Sequence, residues 1–433
     1  MAIIPQLKLF GWEEIEELGD LERLRLVLEH MPDEDLMQKL EVKRGLGRND
    51  YPVRGMWNAI LAGVVYQHIS IESLRRELLR NGQLRNMCGL SKVPTSWAYS
   101  RFLGKLLSME EEINTLFDKL VTELSVLLPG FGINLAVDGK AIDTHARPKE
   151  KEKESTDRRR DTDADFGKKI YRGQREDGTP WEKIISWFGY KLHLLIDADY
   201  ELPVAFTVTK ASSPEAPEAH RLLEKVEKTH PDILNQSEHF MGDRGYDDGK
   251  LIKNLWDEYT IKPIIDIRNM WKDGEETHLV TGMENVVYNY RGTVYCYCLE
   301  TGKKTEMAYG GFEKDRETLK YRCPAEHYGI TCEGKDTCPI AGAVRIPMEE
   351  ERRIFTPVAR SSYKWDNLYK KRTAVERVNS RLDVSFGFEN HFIRGLKKMR
   401  LRMGLALCVM LAIAVGRIKE NQRDKMRSLV KSA

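Results

Sequence analysis

Through most of the first 130 positions apolar residues recur at three- and four-residue spacing, as in Trp57–Gln67, Ile71–Asn81 and Trp97–Leu107. That period predicts amphipathic helices. Asn49-Asp-Tyr-Pro52 breaks the first helical stretch from the next, and Pro94-Thr-Ser96 makes a turn with a cap ahead of Trp97. The texture changes at Phe131. Gly132–Ile142 reads as a short apolar strand with Asp138 near its end, while Tyr190–Asp197 and Leu202–Thr209 alternate as strands joined by a hairpin turn at Ala198-Asp-Tyr-Glu. Between them, Arg147–Gly178 is dense in charge and poor in apolar residues, which predicts a mobile surface loop. A helix over Ala216–Lys228 follows, then a strand over Glu238–Asp243, a helix over Lys250–Glu258 capped by Asp247 or Asp248, and a strand over Thr260–Ile265. This is the order of a mixed α/β sheet whose first three strands run antiparallel, with Asp138 and Asp243 both at strand ends.

From 269 to 356 the pattern gives way to Tyr- and Val-rich strands at Asn285–Tyr290, Thr293–Leu299 and Glu306–Tyr309, separated by Gly turns. The chain then enters a helix over Tyr363–Leu382 and closes on a long apolar helix, Leu396–Lys419, with basic ends. Four regions result: helical 1–130, suited to DNA binding or dimerisation; the first part of an α/β core, 131–268; a β-rich, Cys-containing insertion, 269–356; and 357–433, which completes the core and adds basic C-terminal helices. In the Tyr363–Leu382 helix, Asp366 or Asn367 is placed to cap the first amides. Leu368, Val375, Val378 and Leu382 share an apolar stripe at about 100° per residue, and Tyr369, Arg372, Glu376 and Asp383 share the face beside it. Taken alone, Arg372 and Glu376 are an ordinary ion pair four residues apart.

Charge changes this picture little. The 433 residues carry 69 basic and 67 acidic side chains, a net +2, which neither advertises nor excludes a nucleic-acid partner, because steering depends on local patches. One such patch is the tail. Arg394, Lys397, Lys398, Arg400, Arg402, Arg417, Lys419, Arg423, Lys425 and Arg427 stand there against Glu420 and Asp424. No charged-then-apolar signal segment opens the chain, so a cytoplasmic, nucleoid-associated protein is expected. The longest apolar run, Met403–Val415, is too short to span a bilayer and reads as a buried helix, with no membrane partner. The seven cysteines suit free thiols or metal ligands better than a disulfide framework.

Candidate chemistry rests on three carboxylates, Asp138, Asp243 and Glu376, at two strand ends and on a later helix. A mixed sheet can gather them to hold two divalent cations about 4 Å apart, and an all-oxygen site suits Mg2+ or Mn2+. No Ser/His/Asp nucleophile arrangement and no phosphate-binding Gly loop competes with them.

Here the chain resembles a family, the DDE-type bacterial insertion-sequence transposases, which have a ribonuclease-H-like catalytic domain. The matching motifs are Ala136-Val-Asp138-Gly-Lys, Gly242-Asp243-Arg-Gly-Tyr-Asp247 and Tyr369-x2-Arg372-x3-Glu376, the opening of a Tyr-Arg-Glu-Lys signature. Gly189-Tyr-Lys-Leu-His193-x3-Asp197 is similar to the family's second strand, and Tyr51–Leu106 to the InsH-like N-terminal domain. The resemblance implies a ribonuclease-H-like mixed sheet flanked by helices, and catalytic, metal-binding roles for Asp138, Asp243 and Glu376. It also implies DNA cleavage and strand transfer at terminal inverted repeats, by a homodimer on paired ends. Tyr369 and Arg372 become DNA contacts, joined as candidates by Lys140, Lys191 and His193. Asp383 stands where the signature Lys belongs. Either Arg394, Lys397 or Lys398 takes over that phosphate contact, or the signature is degraded and the chain is a silent DNA-binding descendant; a metal-dependent nuclease without strand transfer is the third alternative. In the insertion, Cys296-x-Cys298 and Cys323-x8-Cys332-x5-Cys338, with His327 between, offer four thiols, Cys298, Cys323, Cys332 and Cys338, for a structural Zn2+. Cys88 and Cys408 sit in apolar helices as core residues.

Overall fold

The computed structural model describes residues 19–45, 50–148, 161–175, 177–340 and 342–428. The helical pattern of the N-terminal region resolves into α1 (Asp20–His30), α2 (Glu34–Arg44), α3 (Val53–Val65), α4 (Ile71–Arg80), α5 (Gly82–Met87), α6 (Ser96–Leu106) and α7 (Glu110–Leu127). Residues 10–18 of the expected helical stretch, and Asn49 of its first break, lie outside the described residues. Caps fall where the sequence offers them: Ser70, Asn81 and Thr95 each accept a first-turn amide of α4, α5 and α6.

The sheet comprises β1 (Asn134–Asp143), β2 (Asp165–Gln174), β3 (Pro180–Asp197), β4 (Leu202–Lys210), then, after α8 (Glu215–Thr229) and α9 (Pro231–Gln236), β5 (His239–Gly242), α10 (Gly249–Asp257) and β6 (Lys262–Ile265). Strand order is β2-β3-β1-β5-β6 with β4 also on β3; β1, β3 and β4 are antiparallel, and β1, β5 and β6 parallel. Three antiparallel strands followed by two parallel ones, with helices on the faces, is the ribonuclease-H-like sheet that the motifs implied.

One expectation fails. The charged stretch after Arg147 is not a loop throughout: β2 pairs residue by residue with the first half of β3, from Asp165↔Gly189 to Gln174↔Pro180. The ribbon stands clear of the core, with Trp181, Ile184 and Ile185 exposed. Its period-2 alternation is masked in sequence by Lys and Gly. The glycines have a packing role, since a Cβ on Gly167 would collide with the Trp187 indole and one on Gly173 with that of Trp181. Residues 149–160 of the expected loop lie outside the described residues.

The insertion holds β7 (His278–Leu279), β8 (Val286–Tyr288), β9 (Val294–Tyr297) and β10 (Lys304–Glu306) as one sheet, and β11 (Ala308–Glu313), β12 (Thr318–Arg322) and, after α11 (Pro324–Tyr328), β13 (Ala343–Pro347) as another. It has its own apolar core, with Val286, Tyr321, Ile346 and Phe355 at its centre. Beyond it, the expected single helix over Tyr363–Leu382 is two: α12 (Tyr363–Lys370) and α13 (Thr373–Phe386). Between them the amides of Arg372, Ala374 and Val375 each bond to the carbonyl three residues back, so the turn tightens at Lys371 and Arg372. The N-cap of α12 is Ser362, whose hydroxyl accepts the Trp365 amide at 3.2 Å, not Asp366 or Asn367.

The chain ends in α14 (Leu396–Lys419). By length and mean hydropathy, 1.9, α14 would cross a membrane, but 89% of its apolar window is buried within the protein. It packs on α7, α1 and β4, so a single apolar cluster joins N-terminal helices, sheet and C-terminal helix. Small residues allow the approach: a Cβ on Gly404 would lie 2.9 Å from Ile113.

Candidate active site

β1 and β5 lie side by side and parallel, with Ala136 opposite Met241. Carried two residues further, that register puts Asp138 beside Asp243 on neighbouring strands, which lie about 4.8 Å apart. Asp243 directly follows β5, but Asp138 is not near the end of its strand as expected, because β1 runs on to Asp143 against β3. Asp243 turns through a Gly245 amide that donates to its Oδ1 at 2.8 Å. Burial pushes the Asp138 carboxyl up to about 6; Lys169 opposes that shift, and the charge of Asp243 adds to it. Two carboxylates facing each other in a half-buried niche suit a divalent cation.

α13 packs on β1 from above. Its apolar stripe is as expected, with Val375, Val378 and Leu382 buried. Arg372 is half-buried, feels the charge of Asp138, and donates to Glu376 Oε1 at 2.7 Å. Glu376 itself is exposed. Among the described residues no three acidic, His or Cys side chains already converge as a metal site, so a third ligand from Glu376 requires it to leave Arg372. Tyr369 lies under the Arg372 guanidinium, 5.8 Å from ring to Cζ, and stacks on buried Trp365 at 4.6 Å.

The remaining candidates divide by accessibility. Lys140 binds Asp383 at 2.6 Å and Glu389 at 3.3 Å. Lys191 is buried, donating to the Ser213 carbonyl at 3.0 Å and meeting Glu215 at 3.4 Å. His193 has no exposed surface; its Nε2 bonds with Thr209 at 3.0 Å, and burial pushes its pKa down to about 3, so it stands as a neutral core residue. Arg394 donates to the His145 carbonyl, whereas Lys397 and Lys398 are exposed at the start of α14. Much of the basic tail is committed within the protein, Arg417 to Glu22 at 2.6 Å, Arg400 to Glu110 at 3.4 Å and Arg427 to Glu201 at 3.2 Å. Arg381, which points away from Glu376, also binds Glu201, at 3.0 Å, and so ties α13 to the β3–β4 turn.

Two site residues escaped the sequence. Glu215 opens α8 and reaches over both acidic motifs: a Cβ on Gly139 would sit 2.9 Å from its Oε1, and one on Gly245 would collide with its carboxylate. Lys169, on the ribbon strand β2, donates to the Gly139 carbonyl at 3.1 Å. Neither carries a local signal, because both arrive through strand pairing and helix packing. The last acid of the second motif, Asp247, is structural: fully buried, it accepts from the Arg268 amide at 2.8 Å and from Arg353 at 3.1 Å, joining core to insertion.

A family profile, described as Transposase DDE domain, matches residues 130–412. That is more than half of the chain, which therefore belongs to the Transposase DDE domain family. No curated protein matches the chain. Among solved structures, a cryo-EM structure of a piggyBac transposase synaptic complex with hairpin DNA is similar over 95% of this chain and 85% of that one, at 12% identity. With a TM-score of only 0.31, that likeness carries no argument here.

Proposed function

We propose that this transposase cleaves DNA strands at the terminal inverted repeats of an insertion sequence and joins the freed 3′ ends to target DNA, acting as a homodimer on paired ends. The observation that carries this reading is the register that aligns Asp138 with Asp243 beneath the Arg372–Glu376 helix. Asp138 and Asp243 would hold the divalent cations, Mg2+ or Mn2+, and Glu376 would complete the set. When bound, such ions activate water or a 3′-hydroxyl and stabilise the leaving oxygen.

The chain's own residues then do the positioning. As Glu376 turns to the acids, Arg372 loses its partner and is released toward a DNA phosphate, so one rearrangement serves both needs. Trp365 holds Tyr369 flat, a fixed surface for the sugar-phosphate backbone or an unstacked base. Lys397 and Lys398, exposed at the N-terminus of α14, are the tail residues best placed for further phosphates.

The test is to incubate the full chain with Mg2+ or Mn2+ and duplexes bearing the element's ends. Nicked and joined products are expected, with activity reduced on the order of 10²–10³-fold or more in Asp243→Asn. Asn at 243 keeps an acceptor for the Gly245 amide, so the fold should persist. Undiminished cleavage by that variant would sink the assignment, end binding without nicking would point to a silent descendant, and cleavage without joining to a plain nuclease.

A further inference from the structure

Five of the seven cysteines lie in the insertion, and none takes part in the proposed reaction. They come from three separate segments: Cys296 and Cys298 at the end of β9, Cys323 at the start of α11, and Cys332 and Cys338 in the irregular chain before β13. All five line one cavity of about 330 Å³, and none is in a disulfide.

The segment from 326 to 339 shows what these thiols are for. Its side chains face solvent, including the apolar Tyr328, 62% exposed, and Ile330, 37% exposed. Of its side chains only Cys332 and Cys338 are half-buried and the rest are exposed, although Ile330 and Thr331 also border the cavity; Gly334 is buried but has no side chain to bury. A segment held by hydrophobic burial would have turned the tyrosine and isoleucine in and left the thiols out. Inside, the sulfurs meet one another and polar donors. The Cys332 thiol donates to Cys298, whose sulfur also accepts from Thr301 and the Gly334 amide. Asn285 Nδ2 lies 3.5 Å from Cys338 Sγ. Cys296 differs: it packs against the insertion's apolar core.

We propose that Cys298, Cys323, Cys332 and Cys338 bind one Zn2+ ion as a structural clip that fastens the 326–339 segment to the β9–β10 hairpin. Four thiolates meet the tetrahedral, sulfur-rich preference of zinc, and a closed set of four leaves no open position for catalysis. Uptake is not a redox step: each thiol still protonated gives its proton to solvent as its sulfur binds. Among the described residues no three ligands are yet at binding distance, so the segment draws inward as the ion enters. The clip replaces the apolar contacts this segment does not make.

Metal analysis of the full chain after exhaustive dialysis should find about one zinc per chain. Asp138→Asn/Asp243→Asn should retain it, because the ion is not in the acidic niche, as should Cys296→Ser, whereas Cys332→Ser and Cys338→Ser should lose it. Should those two variants fail to fold, the wild-type chain stripped and refilled with Co2+ should show the intense thiolate-to-cobalt charge-transfer band of a tetrahedral sulfur site. Absence of both zinc and the cobalt band in the wild type would overturn the proposal. So would zinc lost from the double aspartate variant, zinc retained by both Cys332→Ser and Cys338→Ser, or a disulfide among the four thiols of the protein as purified.

Discussion

At the scale of single residues, the site depends on two glycines as much as on its acids. Gly139 and Gly245 leave the space that the Glu215 carboxylate fills, and Lys191 holds that carboxylate from behind at 3.4 Å. Gly245 does not use the left-handed region, so its backbone accepts alanine, and the clash falls first on Glu215 and then, at 2.9 Å, on Asp243 Oδ1. Gly245→Ala should therefore drive Glu215 out of the niche and lower strand cleavage on the order of 10²-fold, with the unfolding midpoint little changed. Glu215→Gln, which keeps the shape and removes the charge, should lower cleavage in the same direction. Cleavage at the wild-type rate in both would show that Glu215 is a bystander. Asp138 and Asp243 were legible in the sequence because each directly follows a short apolar run, although β1 continues past Asp138 to Asp143. Glu215 was not, because a glutamate one residue after Pro214 also reads as an ordinary first-turn acid of a helix.

At the scale of elements, the same contrast separates β1 and β5 from β2. Apolar runs bounded by turns reveal buried strands, whereas a ribbon with two exposed faces leaves no such pattern, and only its pairing with β3 makes it a strand. The helix over the acids was legible as helix and as amphipathic face, but its break at Lys371 and Arg372 was not, because no Gly or Pro marks it. Its far end also answers the sequence's departure at Asp383. That carboxylate is not idle: it binds Lys140, two residues beyond Asp138, and so joins α13 to β1 beside the site. The pair keeps a cation at this level of the niche, supplied by the strand, while neutralising it. Asp383→Asn should leave Lys140 with only Glu389, its exposed partner at 3.3 Å, and free it for phosphate. DNA binding should then tighten at low salt, and the slope of log affinity against log salt should steepen by about one unit. An unchanged slope in a folded variant would mean that Lys140 does not reach DNA.

At the scale of the whole molecule, the shared core sets how the protein responds to acid. His193, His239 and His391 are held neutral by burial, their values pushed down to about 3, 4 and 4; His30 and His68 are shifted the same way. The unfolded chain takes up protons at these positions below their ordinary value of about 6.5, while the folded chain does not. Their contribution to stability is therefore complete above pH 6.5 and is lost progressively as the pH falls toward 4. Buried carboxyls work against this. Asp138 and Asp197 are pushed up to about 6, so the folded chain binds more protons than the unfolded one between their ordinary range and that value, and their share of stability is lost as the pH rises through 6. At pH 5 the buried histidines and the two buried aspartates act in opposite directions, and the histidines outnumber the aspartates. The unfolding midpoint should thus decline from pH 7 to pH 5, but with a shallow slope. Single variants separate the two contributions. His239→Gln removes one histidine from the balance and should flatten the decline, whereas Asp197→Asn, which keeps an acceptor for the Gly132 amide bonded at 2.6 Å, removes an opposing carboxyl and should steepen it. Equal slopes in both variants and the wild type, measured by thermal unfolding at fixed ionic strength, would show that these buried groups do not govern the acid response.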